Sequence, residues 1–126
     1  MNDKSGDFRS LKVYQLSYEL ALEVFTVSKS FPKEETFASI DQIRRFFRAV
    51  CDNIAEGYRK RLYPNHFRSK MSDADGERSE TTVWLDFSKD CQYISADQHM
   101  SLITRYAEVG KMPGGMINNP QKFLPK

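Results

Sequence analysis

The chain has 126 residues, of which 40% are apolar; about 50 such side chains suffice for one core and exclude two. Charged residues at 29% and aromatics at 13% exclude a disordered chain, and the scarcity of Gly (6) and Pro (5) favours long helices over an all-β fold. With 19 basic and 17 acidic side chains the net charge is only +2, so global charge does not mark a nucleic-acid binder.

The first helix is expected from about Arg9 to Ser30, and it carries two apolar series. Leu11, Tyr14, Tyr18, Ala21 and Phe25 form one; Val13, Leu16, Leu20, Val24, Val27 and Phe31 form the other. Either alone makes an amphipathic helix; together they exceed what one bundle seam needs. One series is therefore expected to lie outside its own core, and the chain is expected to self-associate. Phe31-Pro32 ends this helix, because the residue before Pro is pushed out of the α region.

The second helix is expected from about Thr36 to Arg61, with a stripe of Phe37, Ile40, Ile43, Phe47, Val50, Ile54 and Tyr58, flanked by Phe46 and Cys51. The third runs from about Asn65 to Tyr93 with Phe67, Met71, Ala74, Thr81, Leu85 and Ser88 facing in and Trp84 beside them. Asp75-Gly76 in its middle is also a turn signal, so a break there is an open alternative. The fourth begins at Ser95, where Ser95-Ala96-Asp97-Gln98 fits a capping box, and Pro113-Gly114-Gly115 is expected to kink or end it. The fold class is thus all-α, an antiparallel up-down four-helix bundle over residues 1–117 with a tail at 118–126.

Charge is segregated along the chain. Residues 44–71 carry a net +6, from Arg44, Arg45, Arg48, Arg59, Lys60, Arg61, Arg68 and Lys70 against Asp52 and Glu56. Residues 72–97 carry a net −5. The basic run reads in two ways. One is a solvated face with Glu56–Lys60 and Asp52–Arg48 pairs; the other is a phosphate-binding surface. Arg44 with Arg48, and Arg45 with Arg48, are like-charged helix neighbours that each cost about 0.2–0.5 kcal/mol, which points to a partner, either an acidic surface of another subunit or an external polyanion. Reversing these three charges is expected to abolish RNA binding while helicity survives.

Other chemistry finds no footing. Cys51 and Cys91 read as reduced core thiols of a cytoplasmic protein, and His66 and His99 stand apart from them, so no metal site is expected. Asp73 to Glu77 fails as a calcium loop, because Met71 and Thr82 occupy ligand positions. There is no Gly-rich phosphate loop, and no Ser or Cys has a base at a recognisable spacing; no catalytic residue and no cofactor are expected. No stretch reaches the ~18 apolar residues of a membrane span. Within helix two, Asn53-Ile54-Ala55-Glu56-Gly57 places a helix-weakening glycine beside two polar side chains. It reads as close helix packing, or else as a polar ligand pocket.

Phe8-x-x-Leu11-x-Val13-Tyr14-Gln15, Ser30-Phe31-Pro32, Gln42-Ile43-Arg44-Arg45, Asn53-Ile54-Ala55-Glu56-Gly57, Glu80-Thr81 with Trp84-Leu85, and Tyr93-Ile94 follow one another in an order that carries a resemblance. Over residues 8 to 117 the chain resembles the bacterial four-helix-bundle proteins encoded in intervening sequences of 23S rRNA genes, a family that includes accessory proteins of diversity-generating retroelements. The resemblance implies a continuous third helix, a homopentamer, and RNA or DNA as partner, with a reverse transcriptase beside it in the retroelement members. The chain departs from the family at Ala49-Val50-Cys51, where Ser-Ile/Val-Pro is usual, so a straighter second helix is expected, and at Phe46-Phe47, where small residues are usual. Three functions remain in play: an RNA-binding homo-oligomer, a protein scaffold, and a small-molecule bundle with Asn53 and Glu56 in its pocket.

Overall fold

In the computed structural model the backbone is described for residues 7–32 and 36–118, and side chains for 7–32 and 40–112. A single 3-10 turn at Phe8–Ser10 leads into α1 (Lys12–Ser28), α2 (Thr36–Arg59), α3 (Pro64–Asp90) and α4 (Ala96–Asn118). Successive helices pack side by side, and α1 packs on α4, which closes a four-helix bundle.

The periodicities place the core. On α3 the buried set is Phe67, Met71, Ala74, Thr81, Leu85 and Ser88, as the spacing requires. Ile43, Phe47, Val50, Ile54 and Tyr58 line α2, with Cys51 buried beside them; the side chain of Phe37 lies outside the described residues. On α1 the second series wins the centre. Val13, Leu20 and Val24 are buried together with Ala21 of the first series, while Tyr18 stays on the surface and Tyr14 and Phe25 are half-buried.

Both ends of α3 have an identifiable device. Pro64 occupies its first turn, where the missing N–H costs nothing. At its end Tyr93 N–H donates to Ser88 O (2.8 Å) and Gln92 N–H to Lys89 O (2.9 Å), with Gln92 in the left-handed region at φ 66°. The capping box at α4 forms as expected: Gln98 N–H donates to Ser95 Oγ (3.0 Å), and Ser95 N–H donates to Gln98 Oε1 (2.9 Å). Gly57 lies where α2 packs against α3. A Cβ there would stand 2.7 Å from Met71 Cε and 3.1 Å from Lys70 Cβ, so the packing reading of this glycine holds.

α3 is continuous through Asp75-Gly76, as expected for one third helix and as the resemblance implies; the alternative break does not occur, and the core positions keep register on both sides of it. Two expectations need correction. α4 runs through Pro113 to Asn118, as a proline removes one hydrogen bond while the bonds on either side remain available. Cys91 is exposed, because the third helix ends at Asp90 and Cys91 falls in the turn that follows. Of the expected tail at 118–126, residues 119–126 lie outside the described residues.

Candidate nucleic-acid interface

The eight cationic side chains between Arg44 and Lys70 divide into two groups. Arg44, Arg45 and Arg48 sit in the first half of α2. Arg59, Lys60 and Arg61 end that helix and begin the turn, and Arg68 and Lys70 follow in the opening turns of α3. At 1.5 Å of rise per residue, Arg48 and Arg59 are about 16 Å apart along the helix, so the two groups do not form one patch.

The first group borders an apolar groove. Arg44 lies with its guanidinium 4.7 Å from the Phe25 ring centroid and donates from Nε to Ser28 Oγ at 3.4 Å. Arg48 and Asp52 stand on the rim of the groove, which is otherwise lined by Tyr14, Tyr18, Leu22, Phe25 and Phe47 and encloses about 320 Å³. Among the described residues no ion pair within 4.0 Å joins Asp52 to Arg48, contrary to the helix-pair expectation. Arg45 points to solvent.

The second group surrounds the α2–α3 corner. Arg59 pairs with Glu56 through Nη2 and Oε1 at 2.8 Å, so Glu56 serves its i+3 neighbour and not Lys60. Arg59 also lies in the last turn of α2, where a cation complements the helix dipole. Arg61 is folded back: it covers the Tyr58 ring at 4.1 Å and donates from Nη1 to Tyr58 O at 2.9 Å. Lys60 and Arg68 are exposed and make no ion pair among the described residues. Between them Tyr63 presents its ring to solvent at 60% exposure, edge-on to His66 at 6.3 Å, with Leu62 equally open. The backbone here is tied down: Tyr63 N–H donates to Lys60 O (2.8 Å), and Phe67 N–H donates to Tyr63 O (2.9 Å). The sequence held this aromatic in plain view beside the basic run, and only the fold shows that it is not part of the core.

Neither Asn53 nor Glu56 lines the groove, and with Glu56 bound to Arg59 they do not make a shared polar pocket. Among the described residues no three His, Cys, Asp or Glu side chains gather as metal ligands, and no helix is long and apolar enough to cross a membrane. His99 instead contacts Asp86, Nε2 to Oδ1 at 2.7 Å, across the α3–α4 turn. Arg105 on α4 holds Glu23 on α1 with a two-pronged guanidinium contact, Nη2 to Oε1 at 2.7 Å and Nη1 to Oε2, which keeps the Glu23 carboxyl below its usual pKa.

Comparison with known proteins adds the family. A protein of unknown function from the S23 ribosomal protein family of Bacteroides thetaiotaomicron VPI-5482 has a crystal structure that superposes with a TM-score of 0.76. It is 25% identical, and the match covers 85% of this chain and 96% of that one. No curated protein matches. The description "23S rRNA-intervening sequence protein" fits residues 9–115, which span all but the last few residues of the described bundle. This chain belongs to the 23S rRNA-intervening sequence protein family.

Proposed function

We propose that this protein is a non-enzymatic, self-associating helical bundle that binds RNA through the α2–α3 corner. The observation that carries this reading is the exposed Tyr63 ring held on a hydrogen-bonded turn between the unpaired cations Lys60 and Arg68. Cations neutralise phosphates, and an aromatic face accepts an unstacked base; the combination suits single-stranded or looped RNA better than an acidic protein surface. Arg59, Arg61 and Lys70 add to the local field, and Arg44, Arg45 and Arg48 contribute at longer range along α2. Self-association is supported by the large apolar side chains of α1 that stay on the surface, Tyr18 at 51% and Leu22 at 54% exposure. The family's intervening-sequence context accords with an RNA partner, and a reverse transcriptase would accompany it only in a retroelement setting.

The test is fluorescence anisotropy with a labelled RNA stem-loop across a salt series. Lys60→Glu with Arg68→Glu is expected to weaken binding at least tenfold and to flatten the salt slope. Tyr63→Ala is expected to weaken it by about 1–3 kcal/mol with the slope unchanged, as for loss of one stacked base. Unchanged affinity and slope in both variants would remove the corner from the proposal. Failure of the wild-type protein to bind any RNA at low salt would leave the scaffold reading in its place.

A further inference from the structure

At the rim of the groove between α1 and α2, Arg48 is about 16 Å along α2 from Arg59, so this groove is separate from the RNA-binding corner. Its walls are aromatic. Tyr14 and Phe25 stand on α1 and Phe47 on α2, with Tyr18 and Leu22 forming a half-exposed outer lip. Two of the walls are held by neighbours. The Phe8 ring meets Tyr14 edge-on at 4.9 Å. The Arg44 guanidinium lies 4.7 Å from the Phe25 centroid, and its Nε donates to Ser28 Oγ at 3.4 Å. The enclosed volume of about 320 Å³ falls at the small end of the range for small-molecule sites.

The rim adds two opposite charges. Arg48 and Asp52 are exposed and one turn apart on α2, about 6 Å along the helix axis. Helix ion pairs form at this spacing, yet no contact within 4.0 Å joins them, and neither makes another ion pair among the described residues. The order matters: a cation N-terminal to its anion is the weaker arrangement for such a pair. Arg48 lies instead 5.9 Å from the Phe47 centroid. An open cation and an open anion thus stand side by side above an apolar floor. An apolar ligand would answer neither charge. A simple anion or cation would answer one and be repelled by the other. A zwitterion answers both.

We propose that the α1–α2 groove binds a small aromatic zwitterion of the α-amino acid type. Its carboxylate meets the Arg48 guanidinium, whose paired N–H donors suit it, and its ammonium meets the Asp52 carboxylate. Its ring enters between Tyr14, Phe25 and Phe47. The apolar walls supply the attraction and the two charges fix the orientation. Only the lip, Tyr18 and Leu22, is shared with the self-association proposed above.

The experiment is ligand-observed saturation-transfer NMR with L-phenylalanine as the probe. A ligand of that size is expected to bind with a Kd in the millimolar range, with saturation strongest on its ring protons. Phenylpropionate lacks the ammonium and phenethylamine lacks the carboxylate. Each is expected to bind about tenfold more weakly, for the loss of one charge-assisted contact. Arg48→Gln and Asp52→Asn lie at exposed positions and are expected to keep the wild-type circular dichroism. Both are expected to weaken phenylalanine about tenfold, while Arg48→Gln leaves phenethylamine, and Asp52→Asn leaves phenylpropionate, at wild-type affinity. A merely structural role for either residue would move all three probes together. No saturation transfer to phenylalanine at tens of millimolar would overturn the site. Equal affinity for the three probes would overturn recognition of a zwitterion. Phenylalanine binding that is unchanged in both variants would overturn the choice of groove.

Discussion

Phe31 stacks on Trp84 with ring centroids 4.6 Å apart and planes 8° from parallel. Tyr93 also approaches Phe31, at 4.9 Å between centroids and tilted by 57°. Three of the sequence blocks that carry the family resemblance thus meet in space at one end of the bundle. Ser30-Phe31-Pro32 ends its helix so that Phe31 can turn inward, and Trp84 and Tyr93 are there to receive it. Phe31→Ala is expected to cost about 2 kcal/mol, below the 3–5 of a fully enclosed ring because Phe31 is half-buried. Trp84 is the sole tryptophan, so its emission reports the change directly. A red shift in the folded variant and a lower urea midpoint are the expected readings.

The two glycines of the central helices should respond in opposite ways to alanine. Gly57→Ala gains helix propensity but drives a methyl against Met71, which is fully buried, and against Lys70 Cβ, so a net loss of about 1 kcal/mol is expected. Gly76→Ala meets nothing within its subunit and is expected to gain about 1 kcal/mol. Urea unfolding of both variants checks the two signs.

Tyr106 is buried in α4, and its hydroxyl has no hydrogen-bond partner among the described residues; the Ser17 hydroxyl on α1 is in the same condition. A buried hydroxyl without a partner carries a desolvation penalty. Tyr106→Phe is therefore expected to raise stability by about 1 kcal/mol, seen as a higher thermal midpoint. A fall of that size would mean that the hydroxyl is hydrogen-bonded, to an ordered water for example.

The two thiols should react at different rates. Cys91 is exposed and Cys51 buried, so a thiol reagent at neutral pH is expected to label one site quickly and the second only on unfolding. Burial, with Asp52 adding to it, pushes the Cys51 thiol up to about 12 from 9.0. The folded chain therefore holds a proton that the unfolded chain gives up. The stability this provides is complete below about pH 9 and is lost as pH rises towards 12. Burial raises the Tyr106 hydroxyl in the same direction. Cys51→Ala is expected to flatten the alkaline fall in thermal midpoint between pH 9 and 11. At the acid end Glu23, lowered by Arg105, gives a smaller loss below its ordinary pKa, limited by its exposure.

Much of the fold is readable from spacing, because each helix buries one face and the period shows which. The inward set of α3 and the Ser95–Gln98 capping box are visible as patterns of residue types. Helix one is different: two apolar series share it, and only the position of α2 and α4 decides that Leu20 and Val24 go to the centre and Tyr18 and Leu22 to the surface. Ion pairing was legible in kind and not in partner, since Glu56 can reach i+3 or i+4 and takes Arg59. The basic run looked continuous because sequence counts charges without the 16 Å or so of helix between Arg48 and Arg59. Tyr63 is silent in the sequence because an aromatic next to a proline reads first as a helix break.

The Arg105–Glu23 contact joins residues 82 apart in sequence, the first helix to the last. Consecutive helices are joined by turns of a few residues, and closing the larger loop costs correspondingly more chain entropy. The order of folding follows: helical hairpins form first, and α4 docks on α1 last. Until it does, Leu20 and Val24 lack part of their cover, and a chain still emerging from the ribosome exposes apolar surface on both faces of its first helix. During synthesis the open groove between α1 and α2 is therefore accompanied by a second apolar face that awaits the chain's own final helix. Variants at Arg105 or Glu23 should show themselves in yield and aggregation during expression before they show in the stability of the finished protein.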